Sequence, residues 1–255
     1  MVKFSPKKLS LISQGRGELA LVFLHYFSGS AASWQWVIEP LKADFRCIAL
    51  DLPGFGQAPP LAPPSLKNYS AYIQAVISQL GLTRCILIGH SMGGKIALQA
   101  AADGIEGLEQ VILVAPSPPT QEPMPDEERD RMLQDHHNPE VASTTVDGAA
   151  QQPLPAIRRA IAMRTHTQAE DQTWRWWLLD GMNHSIAEQM SAVQLPVTVI
   201  ASKDDPVIPW ETIQTEVMGC LPQSKLVTYT HVGHLLPLEV PVPLAESIRG
   251  AVAAE

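Results

Sequence analysis

The sequence predicts an α/β protein: a mostly parallel central sheet with helices on both faces and one inserted all-helical segment. Three observations carry this. Largely apolar runs recur along the chain, continuous at Leu19–Leu24 and strand-like at Phe45–Leu50, Cys85–Ile88, Val111–Ala115 and Leu195–Ala201, as expected of strands buried on both faces. Stretches with a helical period separate them, such as Tyr69 to Leu80, stopped by Gly81. From about Thr120 to Ser191 there are helical stretches but no strand-like run. The expected organisation is a core domain of residues 1–119 and 192–255, with a helical insertion of residues 120–191.

Bulk properties narrow the function classes. The 255 residues are 45% hydrophobic and 17% charged, which suits a globular protein with a substantial core. With 18 Lys and Arg against 26 Asp and Glu, the net charge is −8. That argues against a nucleic-acid partner, which needs a basic surface, and against a polybasic membrane patch. Cys47, Cys85 and Cys220 show neither Cys-x-x-Cys nor zinc-like spacing, and two of them sit in apolar runs. Free thiols, no apolar stretch behind Met1–Lys8 and no run long enough to span a bilayer point to a cytoplasmic protein.

Taken in order, Lys8 to Ser13 reads as an early strand or hairpin ending at the Gly15-Arg16-Gly17 turn. Leu19–Leu24 is a buried strand running into His25-Tyr26-Phe27-Ser28-Gly29. A helix starts near Ser33, its candidate N-cap. The next strand ends at Asp51-Leu52-Pro53-Gly54-Phe55-Gly56, where Asp51 is suited to bonding loop amides. Proline punctuates the loop from Pro59 to Pro64, before the helix at Tyr69–Leu80.

The strand at Cys85–Ile88 leads into Gly89-His90-Ser91-Met92-Gly93-Gly94, followed by the helix-forming Lys95–Ala101. Gly-x-Ser-x-Gly between a strand and a helix holds the serine on a sharp turn with its hydroxyl clear of the sheet edge, and the flanking glycines avoid a clash with nearby backbone. The Met92 amide then points toward an oxyanion position, at the positive end of the helix dipole. Within the insertion, helices are expected at Glu127–Asp135, Leu154–Thr165 and Thr173–Leu179. Trp174, Trp177 and Leu178 share one helical face, which serves either as packing or as an aromatic wall over an apolar acyl group. His136, His137 and His166 read as structural or solvent-facing, with no acidic pattern to suggest a metal. After Leu195–Ala201 come Ser202-Lys203-Asp204-Asp205-Pro206, a helix from Trp210 to Gly219, a strand at Lys225–Thr230, the segment His231-Val232-Gly233-His234, and a last helix from Pro243 to Ala253.

These motifs together resemble the α/β-hydrolase fold superfamily, over nearly the whole chain. The resemblance implies Ser91 as nucleophile and His234, in Gly-His before apolar residues and Glu239, as the base; His231 is the decoy. The triad acid of such proteins lies after a strand in Gly-x-x-Asp-x-x-x-Pro. Counting back from Pro209, or forward with Ser202 in the glycine place, selects Asp205; the register with Ala201 there selects Asp204. The resemblance also implies a second oxyanion amide at Phe27, and it makes the insertion a cap. Tyr26 is a departure, standing where the family usually has glycine, and is expected to line the pocket with Trp174 and Trp177. His25 is expected to be structural.

The order Ser91, Asp205, His234 is that of the family. It implies acyl-enzyme hydrolysis of a small-molecule carboxylic ester with an apolar acyl group, water as second substrate, and no cofactor or metal. A serine in the nucleophile place disfavours haloalkane dehalogenases and epoxide hydrolases of this fold, which need aspartate. Lactone hydrolysis, including that of acyl-homoserine lactones, is the nearest alternative. Perhydrolase, carbon–carbon hydrolase and lyase chemistry use the same triad, and a ligand receptor on this fold is the non-enzymatic reading.

Overall fold

The computed structural model describes residues 9–122 and 124–253. Met1–Lys8, including the start of the expected first strand, lies outside them. Seven strands form one sheet: β1 (Leu11–Gln14), β2 (Leu19–Leu24), β3 (Arg46–Leu50), β4 (Arg84–His90), β5 (Leu108–Val114), β6 (Val197–Ser202) and β7 (Lys225–Tyr229). Their spatial order is β1-β3-β2-β4-β5-β6-β7, with β1 antiparallel to β3 and every other pair parallel.

Alternate residues of each central strand serve opposite faces. Val22, Leu24, Ile48, Leu50, Leu87, Val111 and Leu113 pack on one side with α2 (Leu66–Gln79) and α3 (Met92–Ala102). Leu21, Phe23, Cys47, Ala49, Ile86, Ile88 and Ile112 face the other side, covered by α1 (Gln35–Leu41) and a C-terminal helix, Pro241–Ala253, which pack on each other. With both faces covered, the central strands carry near-continuous apolar runs rather than an alternation, which is why they stand out in the sequence.

Ser33 is not the N-cap expected of it. Ser30 caps a 3-10 turn, Ala31–Trp34, that leads into α1, and the Ser33 hydroxyl accepts from the Ser30 amide as the other half of a capping box.

Between β5 and β6 the chain is helical: α4 (Asp126–Gln134), α5 (Pro139–Ala149), α6 (Ala156–Thr167), α7 (Asp171–Trp176) continuing as a π turn through Trp177–Gly181, and a 3-10 helix, Ala187–Ala192. After β6, α8 (Trp210–Thr212) and α9 (Met218–Cys220) are joined by a π turn at Ile213–Val217, and α10 (Leu236–Glu239) precedes the C-terminal helix, α11. Trp174, Trp177 and Leu178 are all buried, and so is Trp176, which stacks on Tyr69 at 5.2 Å.

β2 and β4 are neighbours whose following strands lie on opposite sides, so their C-terminal ends flank the point where the sheet's winding reverses. Crevices at such points are where open parallel sheets bind ligands. None of the helices among the described residues is long and apolar enough to cross a membrane.

Candidate active site

β4 ends at His90 and α3 begins at Met92, leaving Ser91 alone at the turn with φ 52° and ψ −118°. A non-glycine residue in that region costs on the order of 1–3 kcal/mol. Its own backbone bonds secure it: the Ser91 amide donates to Val114 (3.0 Å), and its carbonyl accepts from Gly94 (2.8 Å) and Ser117 (3.1 Å). A Cβ on Gly89 would run into the Gly93 carbonyl, and one on Gly93 would lie 2.5 Å from the Leu24 carbonyl oxygen. The turn can be this tight only because both positions lack a side chain.

Across the sheet edge, the loop after β7 presents His234, buried, with Nδ1 2.8 Å from Asp205 Oδ2. The other oxygen of Asp205 accepts from the amides of Val207 (2.8 Å) and Ile208 (3.0 Å), so the carboxylate is fixed from both sides. Burial alone draws the His234 imidazole downward. The charge and hydrogen bond of Asp205, with Glu122 and Glu239, outweigh it and raise its pKa above the usual 6.5. Asp204, one residue earlier, turns away and accepts from the His231 amide at 2.6 Å. His231 itself is exposed and has φ 58°. Asp204 is therefore a turn-forming carboxylate, more than the solvated side chain its neighbour's selection implies.

The His234 loop is held by its main chain. Its amide donates to the Ala149 carbonyl (2.8 Å), and its carbonyl accepts from His90 Nε2 (2.8 Å). Glu239 receives the amides of Gly233 (2.9 Å), Leu235 (3.1 Å) and Gln151 (3.0 Å). His90 is wholly buried between Tyr26 and His234, and desolvation with the nearby His234 pushes its pKa well below 6.5, so it stays neutral.

At the end of β2, His25 is held by two bonds: Nδ1 donates to the Tyr26 carbonyl (2.7 Å) and Nε2 accepts from the Leu52 amide (3.0 Å). Burial lowers its pKa to about 4. Tyr26 occupies the usual glycine place without positive φ; the left-handed residue of this turn is Ser28, at φ 72°. The Tyr26 ring packs on His90 at 5.0 Å, and burial raises the phenol to about 12. Among the described residues no backbone carbonyl takes up the amide of Phe27 or of Met92. Asp51 bonds the Ser10 hydroxyl (2.6 Å) and the Ala31 (2.8 Å) and Gln57 (2.9 Å) amides.

A cavity of about 450 Å³ opens onto these groups, within the range of small-molecule sites. Ser91, His234, Tyr26, Phe27 and Trp177 line it, with Met124 and Met132 from the helical segment. Trp174 is not at its wall. The indole N–H donates to the Met132 carbonyl (2.8 Å), and the ring lies between Phe27 at 4.3 Å and His136 at 4.3 Å, behind the lining layer. A buried indole needs an acceptor, and the carbonyl of α4 supplies it.

Residues 21–247 match the sequence pattern of the Alpha/beta hydrolase family. The chain belongs to that family. Over 104 residues it is 35% identical to the dihydrolipoyllysine-residue acetyltransferase component of an acetoin-cleaving system from Cupriavidus necator, a match spanning 40% of this chain and 28% of that protein. Against the uncharacterized hydrolase YugF of Bacillus subtilis it is 25% identical, over 92% of this chain and 90% of that one. An esterase from Exiguobacterium antarcticum superposes with TM-score 0.85 at 20% identity, covering 96% of this chain and 95% of that one, a likeness of fold.

Two features of this alpha/beta hydrolase carry no sequence signal. Glu122, in an irregular segment after β5, is buried on the cavity wall, and Lys95, one turn into α3, is wholly buried behind it. His90, beside Ser91, escaped assignment for a related reason: it acts on the His234 carbonyl from 144 residues away, while Glu239 gathers the amides on either side of His234 and, from 88 residues away, that of Gln151. The insertion also brings Asp171 beside His136 and His137, with candidate ligand atoms within 4.8 Å of one another. Each of these histidines already bonds a carbonyl, His136 that of Ala169 (2.9 Å) and His137 that of Thr167 (2.8 Å), and His137 also bonds Asp171 (2.9 Å). The acid absent from the local sequence thus arrives from 34 residues away.

Proposed function

We propose that this alpha/beta hydrolase cleaves carboxylic esters of small molecules through a Ser91–His234–Asp205 triad. The observation that carries the reading is the His234–Asp205 hydrogen bond at 2.8 Å, with His234 and Ser91 lining one cavity. With its Nδ1 proton held by Asp205, His234 keeps Nε2 as the base. Nε2 takes the hydroxyl proton of Ser91 as Oγ attacks the ester carbonyl. The free amides of Phe27 and Met92 receive the oxyanion. His234 returns the proton to the leaving alcohol, then activates water, which releases the acid and restores Ser91. Asp205 orients the imidazole and offsets its positive charge, staying ionised throughout.

On this reading residues 120–191 act as a cap on a core of residues 1–119 and 192–255. Trp177 and Tyr26 contribute wall to the acyl pocket, and Trp174 supports that wall from behind. Unpaired thiols at Cys47, Cys85 and Cys220 favour a reducing compartment, and so a cytoplasmic setting. Substrate and water are the only partners this mechanism needs.

The test is a matched screen of wild type and Ser91→Ala against p-nitrophenyl esters of increasing acyl length and a set of acyl lactones. Ser91→Ala is expected to lose at least about 10⁴-fold in kcat while keeping its circular dichroism spectrum. Residual activity near the wild-type level would sink the assignment. Lactones are internal esters, so their turnover relative to the open esters ranks the two substrate forms within one reaction class.

A further inference from the structure

Glu122 is 6% exposed, yet it sits on the wall of the cavity that Ser91 and His234 line. Its Oε2 is occluded and has no hydrogen-bond partner. A buried carboxyl left in this state is costly, and proteins normally satisfy it. The nearest candidate, Lys95, does not do so. Its Nζ is committed to two carbonyls, Thr120 at 2.8 Å and Met182 at 3.1 Å, and no ion pair joins it to Glu122 among the described residues. The same Met182 carbonyl accepts the Glu122 amide at 2.9 Å. Lys95 is thus a positioning residue: it pins the two main-chain segments that aim Glu122 at the cavity. The Ser117 hydroxyl lies alongside Glu122 and its proximity draws the carboxyl's pKa down, although the pair does not reach the geometry of a hydrogen bond. The other charged pair on the wall is self-contained, since Arg131 is bonded to Glu128 and to the Thr145 hydroxyl.

We propose that Glu122 is the polar anchor of the substrate, and that the substrate is an ester carrying a protonated amine on an otherwise apolar arm. This rests on reading the cavity as the ester site. An ammonium group in the cavity supplies a donor and the opposite charge together to the face of the Glu122 carboxyl that lines it, and such a charge-assisted bond is the strongest available to a carboxylate. An alcohol supplies the donor alone, and a carboxylate ligand is repelled. Burial raises the Glu122 pKa; the charges of Lys95 and His234 favour the ionised carboxylate and Asp205 opposes it, so an ammonium group beside Glu122 adds to the effect of the two cationic groups. The net charge of −8 favours the same sign of ligand.

The experiment measures binding without turnover. Hexan-1-aminium, hexan-1-ol and hexanoate are titrated into wild type, Glu122→Gln and Glu122→Leu, following tryptophan fluorescence, since Trp177 lines the cavity. Wild type is expected to bind the aminium about tenfold more tightly than the alcohol, with hexanoate weakest. Both variants should bring aminium and alcohol within about threefold. Equal affinities in wild type, or an aminium preference that survives in both variants, overturns the proposal. Glu122→Gln keeps the side-chain shape, so it carries the result if Glu122→Leu fails to fold.

A second readout uses 2-(dimethylamino)ethyl butanoate and its carbon isostere, 3-methylbutyl butanoate, with an acyl-side pair, ethyl 4-(dimethylamino)butanoate and ethyl 5-methylhexanoate. In at least one pair the amine ester should have the higher kcat/KM, and Glu122→Gln should remove the ratio. A ratio that Glu122→Gln leaves intact contradicts the anchor alone. Turnover that survives Ser91→Ala contradicts the reaction class, while the binding titration still judges Glu122.

Discussion

Adjacent aspartates, Asp204 and Asp205, hold different ends of the same loop. Asp205 meets the His234 ring, while Asp204 caps the His231 amide two residues before Gly233. The proposed mechanism therefore separates them sharply. Asp205→Asn leaves the bond geometry but favours the wrong tautomer, and is expected to lower kcat by about 10⁴-fold. Asp204→Asn keeps an acceptor for the His231 amide and should cost less than about tenfold. Steady-state kinetics on one ester ranks them, and the reverse order would move the acid. The pH profile gives a second check. His234 must be neutral to accept a proton, and its pKa is raised, so kcat/KM should fall as pH drops through a value above 6.5. In Asp205→Asn that limb should move to lower pH, because the charge that raises it is gone. Spacing alone, back from Pro209 or forward with Ser202 in the glycine place, pointed to the carboxylate that meets His234. The work of Asp204 was not legible, since it depends on a bond to a residue 27 positions later.

At the level of elements, the strain lies at one edge. Ser28, Ser91, Ala115 and His231 are the non-glycine residues with positive φ among those described, and they follow β2, β4, β5 and β7. Each sits where a strand ends at the cavity side of the sheet. Such conformations persist only where surrounding bonds fix them, as those of Ser91 do. The strands and the Ser91 turn were readable because burial on both faces and a strict steric need leave marks in composition. α5 was not, because Pro139, three hydroxyl residues and a glycine obscure its period. Trp176, at the end of α7 and off the face that Trp174 and Trp177 share, is buried as well because it stacks on Tyr69 of α2. Trp177 lines the cavity and Trp174 stands behind it, so the proposed function gives the two different roles. Trp177→Ala should shift acyl-length preference, with a modest loss of stability. Trp174→Ala should lower stability by about 3–5 kcal/mol, from the lost packing and indole hydrogen bond. Chemical denaturation together with an acyl-length series distinguishes them, and an unchanged profile for Trp177→Ala would remove it from the pocket.

Across the whole molecule, the sheet supplies Ser91 and Asp205 on separate strands, while the footing of His234 is shared with the helical segment. Ala149 accepts the His234 amide, and Glu239 gathers amides from both Gly233 and Gln151. Glu239→Ala is expected to cost more than about 3 kcal/mol, since buried amides lose a charged acceptor. It should also raise amide exchange at residues 149–151 and 233–235 together, where a purely local role would affect only one segment. The ties to the helical segment could not be read from the chain, because Ala149 lies 85 residues before His234 and Gln151 lies 88 before Glu239. Their consequence concerns exchangeability. The helical segment is not a detachable part: a chimaera that replaces residues 120–191 removes the acceptor of the His234 amide and one of the donors on Glu239. On the proposed function, a graft intended to alter substrate range would disturb the base as well, so selectivity and turnover would be inherited together.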